Sequence, residues 1–143
     1  MNYSPEAILY LARFIKGNEE ARVWLQKNNL PELILLCFAI QGNDEAIIEL
    51  TRKKHIVLTA FAHAILNGDA HASNWLAQNK KFEWAAVVQI VNKKDKVAEA
   101  WLAKHKLIHF MGLAKVIREK EEETQDDTVF GMIKKYIRAR RKK

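Results

Sequence analysis

Five histidines, one cysteine and scattered acids are the side chains of this 143-residue chain whose types could do chemistry. His105 and His109 stand at i, i+4, a spacing at which two imidazoles on one helix can share a metal ion. They span the turn into a helix, however, and no third ligand is apparent. His63 and His71 straddle the glycine turn at Gly68, and neither pair meets a zinc pattern. The spacing therefore predicts no metal and no cofactor. His63, on the most apolar stretch of the chain, reads as a hydrogen-bonded core residue. Cys37 lies inside Leu36-Cys37-Phe38 and reads as a small buried hydrophobe, with no disulfide to form within one chain. No glycine-rich phosphate loop and no Ser/His/Asp or Cys/His grouping stands out, so no residue is assigned a catalytic role.

What remains is a pattern suited to recognition. The tetrad Ala-x-x-Trp-Leu appears as Ala21/Trp24/Leu25, Ala72/Trp75/Leu76 and Ala98/Trp101/Leu102. A fourth copy, Ala46/Glu49/Leu50, carries Glu in place of Trp. The leucines are 25, 26 and 26 residues apart, a period typical of stacked helical repeats. Large aromatics at such a position are expected to pack adjacent units together. Glu49 adds a constraint, because an unpaired buried charge is costly. The column Trp24, Glu49, Trp75, Trp101 is thus predicted to be half-exposed. It forms a candidate binding surface for an extended peptide or an unstacked base, with a carboxylate between two indoles. The competing expectation is that Glu49 accepts a hydrogen bond from an indole or pairs with a nearby Lys or Arg.

A second candidate surface is basic. Lys27, then Arg52, Lys53 and Lys54, then Lys80 and Lys81, then Lys104 and Lys106 follow the tetrads, and stacking the units puts them along one edge. Acids such as Glu19, Glu20, Asp44 and Glu45 stand before or at the starts of the same segments. Helix dipoles favour that distribution with no ligand at all. The row also suits an anionic polymer, with stacked helices roughly 10 Å apart. The net charge of +7 is uneven: residues 119–127 hold six acids and one base, and residues 128–143 hold seven bases and no acid. Lys134, Lys135, Arg138, Arg140 and Arg141 form a third candidate surface, the tail, facing solvent, a nucleic acid or acidic protein, or a membrane surface.

These residues must be positioned by helices. Two prolines and five glycines leave little punctuation for strands. Each unit opens on a turn and a cap, Gly17-Asn18, Gly42-Asn43, Gly68-Asp69 or Lys94-Asp95. A short amphipathic helix carries the tetrad, a polar turn follows, and a second, far more apolar helix starts at Leu30, Ile56, Phe82 and about Leu107. Ile56 to Leu66 is apolar nearly all round and must be buried on most sides. The reading is an all-α, right-handed α-solenoid of four helix pairs behind an N-terminal helix, about ten helices in all. Residues 1–118 form the repeat domain, 119–127 an acidic linker, and 128–143 a basic amphipathic helix that caps the stack. The longest near-apolar stretch, Leu30–Ile40, is about half a membrane span, so no transmembrane segment and a cytoplasmic location are expected.

The segment from Pro31 to Leu50 resembles an ankyrin helix pair. Gly42-Asn43-Asp44-Glu45-Ala46-Ile47-Ile48-Glu49-Leu50 is similar to that family's glycine turn and second helix. The repeat is 25–26 residues against 33 for ankyrin, and the protruding hairpin has no counterpart. Short HEAT-like repeats fit about as well. Either resemblance implies a scaffold that binds macromolecules. The expected function is therefore a non-enzymatic protein–protein interaction module using the repeat surface. The alternative is nucleic-acid binding through the basic edge and tail, and a HEAT-like base-processing enzyme is a distant third.

Overall fold

The tetrad acquires its meaning from the hydrogen bonds that frame it. In this computed structural model, which describes the backbone of residues 3–127 and the side chains of residues 3–123, every tetrad lies in a helix of nine residues. Asn18, Asn43, Asp69 and Asp95 cap these helices, and each cap oxygen accepts from the amide of the tetrad alanine, Ala21, Ala46, Ala72 or Ala98. At the other end the tetrad leucine accepts a six-residue closing bond: Leu30 N–H to Leu25 at 2.9 Å, His55 to Leu50 at 2.9 Å, Lys81 to Leu76 at 2.8 Å and Leu107 to Leu102 at 2.8 Å. This is the Schellman turn. It requires a left-handed residue, supplied by Asn29, Lys54, Lys80 and Lys106 at φ between 58° and 63°.

The described residues form nine helices and no strand. They are α1 (Pro5–Ile15), α2 (Glu19–Lys27), α3 (Pro31–Ile40), α4 (Asp44–Arg52), α5 (Ile56–Asn67), α6 (Ala70–Gln78), α7 (Phe82–Lys93), α8 (Lys96–Lys104) and α9 (Ile108–Asp127). The odd-numbered helices are inner, apolar in α3, α5 and the first half of α9, and the even-numbered ones are amphipathic and outer. Each outer helix packs on the two inner helices that it joins. The acidic segment 119–127, expected as a linker, is the helical continuation of α9, which runs 20 residues against 10 to 12 for α3, α5 and α7. The expected tail helix lies outside the described residues.

Two features of the packing differ from a simple row of stacked pairs. The inner helices pack in the order α1, α3, α5, α7, α9, and α9 then packs closely on α1. An open stack would keep its first and last helices apart; here the inner row closes on itself, so its apolar faces meet in one core. Trp84 reaches across that core. Eight residues after the tetrad leucines stand Leu33, Leu58, Trp84 and Phe110, and Trp84 is the bulkiest of them. Its buried ring makes edge contacts with Tyr3, Phe61 and Phe110 at 6.3, 4.9 and 5.2 Å between centroids. Tyr3 also donates to the buried carboxylate of Glu32 at 3.0 Å, and burial, then the Glu32 charge, push the phenol's pKa upward. Second, the backbones of successive outer helices stay apart: no Cα of α4 lies within 8 Å of α6, nor α2 of α4, nor α6 of α8. Each outer helix rests on the inner layer, and a furrow lies between α4 and α6.

Candidate binding groove

The furrow between α4 and α6 is open. Thr51 of α4, Ile56, Thr59, Ala60 and His63 of α5, and Asp69, His71, Ala72 and Trp75 of α6 and its cap line a cavity of about 370 Å³. Sequence register gives this furrow a small floor. Nine and ten residues after the tetrad leucine, the inner helices carry Ile34/Leu35 in α3 but Thr59/Ala60 in α5. The corresponding pair in α3 is larger and partly buried. In α7 the corresponding pair is also small, Ala85/Ala86, and there the Phe82 ring leans on Trp101 at 6.1 Å. The α5 floor has neither a bulky residue nor a ring across it.

All four members of the tetrad column are half-buried, each in a different setting. Trp24 stacks on Tyr10 of α1, with centroids 4.1 Å apart and planes 7° from parallel. Trp101 lies between Phe82 and His105, 4.3 Å from the imidazole. Trp75 forms a wall of the groove. Glu49 pairs with Arg52 and with Lys53, the latter at 3.8 Å. The hydrogen bond from Arg52 is the largest influence holding its pKa below the ordinary value, against a smaller upward push from burial. The four members thus sit in four different settings, and Glu49 is engaged by the neighbouring Arg52 and Lys53.

The basic residues gather where outer helices end and inner helices begin. Lys27, Arg52, Lys53, Lys54, Lys80, Lys104 and Lys106 are exposed and Lys81 is half-buried. Lys54, Lys80, Lys81, Lys104 and Lys106 have no ion-pair partner among the described residues. Apolar side chains are interleaved with them: Ile56, Phe82 and Ile108, each six residues after a tetrad leucine, are 59, 47 and 69% exposed. Sequence patterning had placed the bases but not these neighbours, whose signal was the recurring offset. The tail candidates Lys134, Lys135, Arg138, Arg140 and Arg141 lie outside the described residues.

The remaining chemistry-bearing groups do not assemble into a site. Among the described residues, no three His, Cys, Asp or Glu side chains lie close enough together to hold a metal ion. His63 is half-buried on the groove floor rather than in the core. His109 packs beside Phe110, and burial pushes its pKa down. Cys37 is buried, and Gln41 Nε2 donates to its sulfur at 3.2 Å. No helix among the described residues is long and apolar enough to cross a membrane. No known protein family, no curated protein and no solved structure matches this chain. The likeness to ankyrin or HEAT-like helix pairs therefore rests on the local motifs alone.

Proposed function

We propose that this protein is a non-enzymatic binding module that recognises another protein through the furrowed face of its repeats. The observation that carries this reading is the open groove between α4 and α6. Its 370 Å³ lies within the roughly 300–1,000 Å³ of clefts that hold small ligands or single anchoring side chains. Its exposed lining is chiefly apolar, with Trp75 and Ile56 on its walls. A peptide side chain entering it would displace water from apolar surface, which is favourable at about 25 cal/mol per Å². The small floor residues Thr59 and Ala60 set the depth, so the groove accepts an aliphatic or aromatic anchor.

The experiment is a selection of displayed random dodecapeptides on the full chain, repeated on Ala60→Leu. Leucine stands at the corresponding position of α3, Leu35, so the substitution fits the fold while filling the groove. The reading predicts peptides sharing one apolar anchor that bind the wild type at least about tenfold more tightly than Ala60→Leu. Thermal melting checks that the variant stays folded. No enriched peptide, or enriched peptides that bind a folded Ala60→Leu equally well, contradicts it.

A further inference from the structure

The groove has two unlike ends. Thr51 and Ile56 both line it, and the four residues that join them are Arg52, Lys53, Lys54 and His55. Across the groove, one turn beyond Trp75, α6 ends in Asn79, whose side chain donates to the Trp75 carbonyl, followed by Lys80 and Lys81. One end is therefore flanked by five bases. Glu49 engages Arg52 and Lys53, which leaves Lys54, Lys80 and Lys81 without a counter-charge among the described residues. The opposite end carries Asp69, whose carboxylate is held by the amides of His71 and Ala72. Lys54 and Lys80 occupy left-handed positions at φ 63° and 60°, where glycine or asparagine costs less and where the first unit places Asn29. The same turn position carries lysine at Lys106 as well.

We infer that the groove's partner is an acidic protein segment: one aliphatic or aromatic anchor with two or three carboxylates on one side of it. This rests on the reading of the groove as a protein-binding site. The anchor occupies the pocket above Thr59 and Ala60, and the carboxylates meet Lys54, Lys80 and Lys81. Charge complementarity fixes the direction of the segment, because Asp69 repels a carboxylate placed at the other end. The same feature disfavours a nucleic-acid strand along the groove, whose phosphates would run from the lysines into Asp69 and whose bases would meet a chiefly apolar lining.

The test uses synthetic peptides in which one apolar anchor is flanked on one side by Glu/Asp, by Gln/Asn or by Lys. They are titrated into the wild-type full chain, Ala60→Leu and the triple variant Lys54→Glu/Lys80→Glu/Lys81→Glu. Single-stranded DNA and RNA 20-mers serve as competitors. The expected result is binding of the acidic peptides about tenfold or more above the neutral ones, reduced by about tenfold in the triple variant and weakened by salt. Lys54→Gln/Lys80→Gln/Lys81→Gln, which removes charge without reversing it, shows an intermediate loss. Equal binding of acidic and neutral peptides to the wild type, with loss in Ala60→Leu, overturns the charge inference and leaves the groove reading standing. No binding of any anchored peptide overturns both. Oligonucleotide binding that the triple variant abolishes, with no peptide bound, assigns the lysines to nucleic acid and overturns both.

Discussion

Cys37 shows how completely a reactive side chain can be absorbed by packing. The thiol is buried, and burial pushes its pKa from the ordinary 9.0 up to about 11, against smaller downward pulls from the Gln41 hydrogen bond and the Lys120 charge. The folded chain therefore holds the thiol protonated where the unfolded chain begins to lose its proton. The associated stability is fully present below pH 9.0 and declines as pH rises through about 11. A Cys37→Ala variant should lose less stability than the wild type over that interval, by urea titration. At pH 8 the native thiol should react with a disulfide reagent about a hundredfold or more slowly than in urea, since reaction awaits opening. Cysteine burial was legible from Leu36-Cys37-Phe38 alone. The fates of Trp24, Glu49, Trp75 and Trp101 were not, because each depends on its own neighbours: Tyr10 for Trp24, Arg52 and Lys53 for Glu49, the groove for Trp75, and Phe82 and His105 for Trp101. Trp84 escaped notice for a related reason. It lies outside the tetrad, and only long-range packing reveals that its ring joins Tyr3, Phe61 and Phe110.

The elements themselves were readable because their signals are local. The caps at Asn18, Asn43, Asp69 and Asp95 fall where the sequence puts them, and the outer helices end at the polar turns that follow the tetrads. The turns add a point of energetics. A left-handed lysine costs about 1 kcal/mol relative to glycine in the folded chain, offset in part by glycine's greater freedom when unfolded. Lys106, at φ 58° and distant in sequence from the groove, isolates that effect. Lys106→Gly should raise stability by about 0.5 kcal/mol in urea denaturation, with peptide affinity unchanged. Destabilisation by a similar amount would show that the lysine stem packs on its neighbours. The end of α9 was not readable. Nothing in residues 119–127 distinguishes a charged linker from a charged helix once the preceding residues are helical, and α9 continues to Asp127.

At the scale of the molecule, the closure of α9 on α1 is what sequence could not supply, since it joins helices about a hundred residues apart. Repeat arrays that contact only their neighbours fray from the ends. A row whose ends meet has no such weak point, so backbone amides of α1 and of α9 up to Ile117 should exchange with deuterium as slowly as those of α5. Exchange at α1 faster by orders of magnitude would mean that the contact is marginal. Closure also bears on recognition. With the inner faces committed to one core, the outer surface is what the fold leaves open, and the α4–α6 furrow has small floor residues in Thr59 and Ala60. The most direct measurement is an amide chemical-shift map of the full chain titrated with an apolar-anchored acidic peptide, beside the same titration of Ala60→Leu. The account predicts shifts centred on Thr51, Ile56, Thr59, Ala60, His63 and Trp75 in the wild type and their absence in the variant. Shifts centred elsewhere, or undiminished in a folded Ala60→Leu, would contradict it.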